Sequence, residues 1–418
     1  MNAPHSSLSV TASVVEELRA IVGAEHVHAA NAADQVDGVQ PQFVAEPTNA
    51  EQVAKVLKCA NDAGLAVTPR GGGSKIAWGN RPRRCDLVLS LARMNKVVEH
   101  AASDLTVAVE AGCTIGELQK VLASQGQRLA LDVLWAGRAT VGGALSTNDS
   151  GSLRIRFGAL RDLVIGITLA LPDGTLARSG GKVVKNVAGY DLPKLATGAL
   201  GTLAVITDAV FRLHPVFPET RSLTVPMKDV GEANKFVLAV MDSKLAFTGL
   251  QVRTGRGQGV EVDIRFEGTA AGVSGQCADV AKLAGAMAVS DAKPDVWGAR
   301  QALFEPGTVT AKFSTLPASI ASFCDKVARH AQNAEWRIVA QANGLGHVRL
   351  STAAEALAKL RSELEPEGSL VVLQCPAEMK DQFDAWGSPG DALPLMRRVK
   401  QEFDPQGTLN PGRFVGGI

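Results

Sequence analysis

The chain has 418 residues, enough for two or three domains. Hydrophobic residues at 46% and charged residues at 20% require a packed core and exclude wholesale disorder. With 43 basic against 42 acidic side chains, the net charge of +1 leaves no basic footprint for nucleic acid and no polybasic membrane patch.

From the start of the chain, Met1–Val10 has neither a basic n-region nor a long apolar run, so no secretory signal is expected. Ser13 and Glu16 read as a capping box that opens a helix through Leu18, Ile21 and Val22, closed by Gly23. Thr48 and Glu51 open a second, with Val53, Val56, Leu57 and Ala60 at helical spacing and Gly64 just past its end. Thr114 and Glu117 open a third, running through Leu118, Val121 and Leu122 towards Gly126. Strand-like runs at Leu65–Pro69, Asp86–Leu91 and Leu105–Ala111 lie between them, so β and α segments alternate. Leu163–Leu171 and Leu176–Arg178 flank Pro172-Asp-Gly174 and predict a hairpin; Leu163–Pro172, the longest apolar run, is too short to span a membrane. Leu203–Leu213 is a long strand stopped by Pro215.

Past Pro218 the pattern becomes ordinary amphipathic segments. A strand near Leu223, a helix over Asp229–Asp242, strands Phe247–Arg253 and Val260–Phe266, and a helix over Ala270–Met287 form one group. Strand Val309–Phe313, helix Ala318–Gln332, strand Arg337–Gln341, helix Ala353–Leu364 and strand Leu370–Gln374 form a second. Two such groups predict a ferredoxin-like antiparallel sheet with helices on one face. Residues 376–392, rich in Pro, Gly and Asp, read as a linker before a last helix, Leu393–Phe403, and the tail Asp404–Arg413. Six scattered cysteines (Cys59, Cys85, Cys113, Cys277, Cys324, Cys375) without a Cys-x-x-Cys pair read as reduced thiols and argue against an iron–sulfur cluster on this chain.

Glycine accounts for 42 residues, above the typical share of about 7%, and it is clustered. Arg70-Gly71-Gly72-Gly73-Ser74-Lys75 follows a strand directly. Consecutive glycines bring backbone N–H groups close to a ligand and suit a pyrophosphate, with Arg70 and Lys75 able to add charge; a tight structural loop is the alternative. The spacing is neither that of a Walker loop nor that of a Rossmann fingerprint. Thr140–Gly151 supplies Thr140, Gly142, Gly143, Ser146, Thr147, Asn148 and Gly151, the small and hydroxylic residues that phosphate and ribose oxygens require. A solvated loop would not explain the interleaved Val141, Ala144 and Leu145. A third cluster, Lys182–Thr207, contains the only tyrosine, Tyr190.

Taken in order, Pro69-Arg-Gly-Gly-Gly73, Thr140-x-Gly-Gly143, Gly189-Tyr-Asp-Leu192, Gly201-Thr-Leu-x-x-Ile-Thr207 and Asn410-Pro-Gly-Arg413 resemble the FAD-binding domain of the vanillyl-alcohol oxidase/p-cresol methylhydroxylase superfamily. Within it, the chain looks most like the FAD-binding E-type subunits of bacterial glycolate oxidases. The resemblance implies an α+β fold: an N-terminal helical segment over 1–38, a two-part FAD-binding domain over 39–216, a ferredoxin-like α+β cap over 217–392, and a segment over 393–418 returning to the FAD site. It implies that Arg70 to Lys75 and Thr140 to Gly151 wrap the pyrophosphate and ribityl chain, that Ile206 offers backbone groups to the flavin ring, and that Asn410 approaches the ring from the tail. Ser74 stands where some relatives carry a histidine bonded to flavin, which implies non-covalent FAD.

Metal-dependent relatives carry Ala-His-Ala-Gly-Asp-Gly-Asn-Leu-His in the cap. Here Ala340-Gln-Ala-Asn-Gly-Leu-Gly-His347 has Gln341 at the first histidine and keeps only His347, so no metal is expected. Leu200 likewise replaces the family's acidic residue. Two candidates for substrate contact remain. Arg300, in Trp297-Gly-Ala-Arg300, is either a carboxylate clamp or a helix arginine stacked on tryptophan, and Arg253 and Arg265 share that ambiguity. His347 is either a base or ligand, or a satisfied strand residue.

The implied function is the FAD-binding subunit of a complex that oxidises glycolate, or a similar small 2-hydroxy acid, to glyoxylate. A paralogous flavin subunit and an iron–sulfur subunit would be its partners, and its location the cytoplasm or, through them, the periphery of the inner membrane. The alternatives are a non-catalytic assembly or regulatory subunit and an independent FAD-dependent 2-hydroxy-acid dehydrogenase.

Overall fold

A computed structural model describes residues 5–182, 189–351, 354–365 and 367–418. Lys185 and Asn186 of the third glycine-rich cluster, and the predicted helix start at Ala353, lie outside the described residues. Helix α1 (His5–Val22) begins upstream of Ser13, which therefore sits inside the helix rather than at its cap. Helix α2 (Ala50–Asp62) is capped one residue later than the spacing predicts: Asn49 takes the extended conformation and its Oδ1 accepts the Gln52 N–H at 2.9 Å. Thr48 instead donates its own N–H to Gln52 Oε1 at 2.8 Å. Asn49→Ala is expected to lower stability by about 1 kcal/mol in urea unfolding, the usual cost of losing an N-cap. Helix α3 (Ile115–Ala123) is capped by Thr114, as its sequence predicts.

Two small sheets share one core. Strands β1 (Val27–Ala29), β2 (Phe43–Ala45), β3 (Val67–Arg70) and β4 (Leu87–Ser90) assemble in the order β1-β2-β4-β3, with β4 parallel to both neighbours. Strands β5 (Val97–Ala101), β6 (Thr106–Glu110), β7 (Val164–Ala170), β8 (Leu176–Gly180) and β9 (Val205–Arg212) form an antiparallel sheet in the order β5-β6-β9-β7-β8. The β7–β8 hairpin turns on Gly174, at φ +88, as the Pro-Asp-Gly signal predicts. Strand β5 escapes sequence reading because exposed Glu99 interrupts its apolar pattern. Leu57 of α2, Leu118 of α3, Leu87 of β4 and Val109 of β6 bury together in that shared core.

The second core lies under one eight-stranded antiparallel sheet. Its strands are β10 (Glu219–Met227), β11 (Gly249–Gly255), β12 (Val260–Gly268), β13 (Ser290–Asp291), β14 (Val309–Ser314), β15 (Trp336–Gln341), β16 (Leu345–Leu350) and β17 (Ser369–Gln374), in the order β13-β10-β12-β11-β15-β16-β14-β17. Each half repeats the strand order 4-1-3-2 of a ferredoxin-like unit, and β11 pairs with β15 to join them. The predicted pattern lacks strand β16, although Asn343-Gly344 marks its hairpin with β15 and Gly344 has φ +83. Helices α4 (Val230–Asp242), α5 (Ala270–Ala284), α6 (Ile320–Ala331) and α7 (Ala354–Ser362) cover the apolar face, where Val262, Ile264, Phe313, Ile338 and Val348 are buried.

The other face of this sheet is polar and faces the segments around Asp132, Ser146 and Gly151. Gln251, Asp263, Gln341, His347 and Lys312 occupy it in register. Residues 376–392 are not a free linker: Lys380 pairs with Asp37 at 2.6 Å, Asn80 bonds Asp384 at 3.1 Å, and Trp386 Nε1 donates to the Arg413 carbonyl at 2.9 Å. Helix α8 (Leu393–Phe403) then returns the chain to β3, where Val67 N–H donates to the Thr408 carbonyl at 2.7 Å and Asn410 N–H to the Val67 carbonyl at 3.0 Å.

Candidate active site

Strand β3 delivers the chain into the glycine triad, and that turn exists only because side chains are missing. A Cβ on Gly71 would lie 2.1 Å from Thr140 Oγ1, and one on Gly72 would lie 1.8 Å from the Arg138 carbonyl oxygen. Gly73 has φ +66, in the left-handed region. The first two glycine clusters are therefore packed backbone to backbone. The short helix over Val141–Thr147, capped by Thr140, presses Gly142 against Ala111 in the same way, with a built Cβ 2.9 Å away.

These segments line a cleft open to solvent on one side. Arg70, Gly71, Gly72, Gly73, Ser74, Lys75, Thr140, Gly142, Gly143, Ser146, Thr147, Ile206 and Asn410 all line it. Asn148 lines an adjoining chamber instead. Gly151 is turned away altogether: its N–H donates to Asp132 Oδ1 at 2.9 Å, and it lines a separate interface cavity with Asp132 and Arg300. Residues that sequence reasoning missed include Leu200 and Gly201, which follow each other at positive φ, and Arg413. Arg413 is buried, and its Nη2 donates to the Ile76 and Trp78 carbonyls. Burial pulls its pKa down to about 10 despite the nearby Asp37 carboxylate.

The cations of the first cluster are already engaged. Arg70 pairs with Asp34 at 2.9 Å. Lys75 Nζ lies 3.1 Å from Asp149 Oδ2, and Arg300 Nη1 lies 2.8 Å from Asp149 Oδ1. Arg300 also donates to the carbonyls of Ser150 at 3.1 Å and Asp132 at 2.8 Å. Burial pushes the Asp149 carboxyl up, but Arg300 and Lys75 outweigh it and hold the group below its ordinary range. Arg300 is thus a latch between the eight-stranded sheet's side and the glycine-cluster side, which corrects its reading as a free carboxylate clamp.

What remains for an anion is backbone. Among the described residues, no hydrogen bond within the protein uses the N–H groups of Gly71 to Lys75. Asn410, at φ 45, donates Nδ2 to the Leu200 carbonyl at 2.8 Å, while its buried Oδ1 has no partner among the described residues. Free donors, cleared side-chain space and an unpaired acceptor fit an FAD molecule held by its diphosphate and ring. Asn410→Ala is expected to cost about 0.5–1.5 kcal/mol in stability and to weaken FAD retention, read by thermal unfolding and by flavin lost on gel filtration.

The adjoining chamber shares Ser146, Thr147 and Leu200 with the cleft. Trp78, Leu373 and Trp386 form apolar walls, and Lys312 enters from β14. Burial, with Arg154 and Arg300 nearby, lowers the Lys312 pKa to about 8. His347 faces Lys312 across the β14–β16 pairing but lines neither space. It is buried with Phe304 at 6.2 Å, and burial together with Arg300 and Lys312 pushes its pKa well below 6.5. That makes His347 a neutral strand residue rather than a ligand or base aimed at the cleft. Arg253 is tied to Asp263 at 2.6 Å, and Arg265 lies over Trp297 at 4.5 Å. Among the described residues, no three His, Cys, Asp or Glu side chains converge as a metal site, and no helix is long and apolar enough to cross a membrane.

Residues 41–180 match the FAD binding domain family, and residues 379–414 match the C-terminal domain of FAD linked oxidases. The glycolate oxidase subunit GlcD of Bacillus subtilis (strain 168) is 29% identical over 56% of this chain and 52% of its own length. A D-lactate dehydrogenase of Anaerostipes hadrus is 27% identical over 90% of each chain. The chain spans about half the length of several of the curated relatives it matches, that subunit included. The solved structure of p-cresol methylhydroxylase with substrate bound superposes with a TM-score of 0.76 over 97% of this chain and 96% of that one, at 18% identity.

Proposed function

We infer, from the match of residues 41–180 to the FAD binding domain family, the match of residues 379–414 to the C-terminal domain of FAD linked oxidases and the fold shared with p-cresol methylhydroxylase, that this chain is an FAD-dependent oxidoreductase acting on the CH–OH group of a 2-hydroxy acid. The observation that carries this reading is the glycine-walled cleft with unused amides, opening into a chamber that holds one lysine. When bound, FAD supplies the acceptor for the hydride leaving the substrate α-carbon. The amides of Gly71 to Ser74 would hold the diphosphate, and Asn410 Oδ1 and the backbone at Ile206 would meet the ring. Among the described residues lining the cleft there is no His, Cys or Tyr to form a covalent bond to flavin, which supports a dissociable cofactor.

At finer grain, the motif order supports the FAD-binding subunit of a glycolate-oxidising complex. A second flavin subunit and an iron–sulfur subunit would be its partners, in the cytoplasm or at the inner-membrane periphery. One observation favours a chain that does not itself oxidise substrate, either an assembly subunit or one whose flavin relays electrons beside a catalytic partner. Among the described residues, no His, Asp or Glu lines the chamber to take the hydroxyl proton. Mixing FAD-loaded protein with glycolate in the absence of oxygen separates the two. Bleaching of the flavin supports direct oxidation, and a flavin that stays oxidised until partner subunits are added supports the relay. Steady turnover by the isolated chain with an artificial acceptor would instead favour an independent dehydrogenase.

A further inference from the structure

The chamber beside the cleft is built for more than a small hydrophilic acid. Its walls include Trp78, Leu345, Val371, Leu373 and Trp386, and Lys312 is its one charged lining residue among those described. Lys312 Nζ has no hydrogen-bond or ion-pair partner among the described residues. The Asp149 carboxylate that could neutralise it is already held by Lys75 and Arg300. With Arg154 on the same side, the surroundings of Lys312 carry an excess of positive charge. An ammonium set this deeply without a counter-ion is costly in the empty protein and is relieved by an anion. Asn148 contributes a complementary group, a buried Oδ1 without a partner among the described residues.

We propose that this chamber is the substrate pocket and takes a 2-hydroxy monocarboxylic acid with an apolar chain or ring, its carboxylate on Lys312 Nζ and its hydroxyl donating to Asn148 Oδ1. The proposal rests on the flavin-oxidoreductase reading, narrows its substrate class, and departs from the glycolate preference that the motif order alone suggests. One ammonium matches one carboxylate. A second carboxylate would be stripped of water against tryptophan, leucine and valine with nothing to pair it. Glycolate has no carbon to place on those walls.

The test is a series of dissociation constants for glycolate, lactate, 2-hydroxybutanoate, 2-hydroxypentanoate and 2-hydroxyglutarate. Binding is read by quenching of tryptophan fluorescence, with FAD content measured separately on the same preparation. Each added methylene is expected to tighten binding about fourfold, with 2-hydroxyglutarate weaker than 2-hydroxypentanoate. Lys312→Met should weaken every acid at least tenfold and leave FAD content unchanged. Affinity should also fall about tenfold per pH unit above about pH 8, as Lys312 loses its proton. The charged groups that face Lys312 are Arg154, Arg300 and Asp149, and burial with those cations holds His347, opposite it, well below its ordinary range. A flat series, a preference for the dicarboxylate, or an unaffected Lys312→Met variant would each overturn the proposal. Protein without FAD that still shows the graded series would sink the flavoprotein reading and keep the pocket. FAD-loaded protein with a flat series would do the reverse.

Discussion

Gly72→Ala is expected to yield a folded protein that no longer retains FAD through gel filtration. The new methyl would lie 1.8 Å from the Arg138 carbonyl oxygen, and neither partner is a flexible side-chain end that can swing aside. Relief requires the triad to move off the Thr140 segment, which widens the cleft and misplaces the amides of Gly71 to Ser74. Overpacking of this kind costs about 1–3 kcal/mol, so a strain relieved at the cleft corresponds to FAD binding weakened about 5- to 150-fold. Gly137→Ala is the matched control. It lies in the opposing segment, its added methyl meets nothing within 4 Å, and it should keep FAD at the wild-type level. Equal retention by both variants, measured by equilibrium FAD titration, would show that close backbone packing is not what shapes the site.

Asp149→Asn is expected to be the most destabilising single substitution at the interface. The carboxylate is buried between Lys75 at 3.1 Å and Arg300 at 2.8 Å and also accepts the Leu134 N–H at 2.8 Å. Asparagine can keep the last bond but leaves two buried cations without a counter-charge. Breaking a buried pair from one side costs about 3–5 kcal/mol, which urea unfolding would register directly. Lys75→Met combined with Asp149→Asn removes one stranded charge and should recover part of that loss. Because Arg300 is the latch to the eight-stranded sheet, the single variant should also expose the interface tryptophans, Trp78 and Trp135, to fluorescence quenchers.

The parts of this molecule that sequence reading reached are those in which composition records a steric demand. The Gly71–Gly73 turn and the Gly142–Gly143 pair had to be glycine because backbone lies where a Cβ would be, and the clustering shows in the chain itself. The two ferredoxin-like halves were legible because alternating apolar residues face the helices. The directions of long side chains left no such record. Lys75 and Arg300 look like anion binders until Asp149, 151 positions from Arg300, is brought between them by the fold. Lys312 passed unnoticed in the run Val309–Phe313, although a lysine inside a buried strand was the available signal. His347 drew attention for its motif, yet its register on β16 sets it beside Lys312 and away from both cavities.

The most direct measurement is the flavin released when the purified chain, incubated with FAD and desalted, is precipitated with acid. One FAD per chain, left in the supernatant, is the expected result. Flavin that stays with the pellet would contradict the dissociable attachment. A colourless protein that takes up no FAD at any concentration would contradict the cleft as a cofactor site.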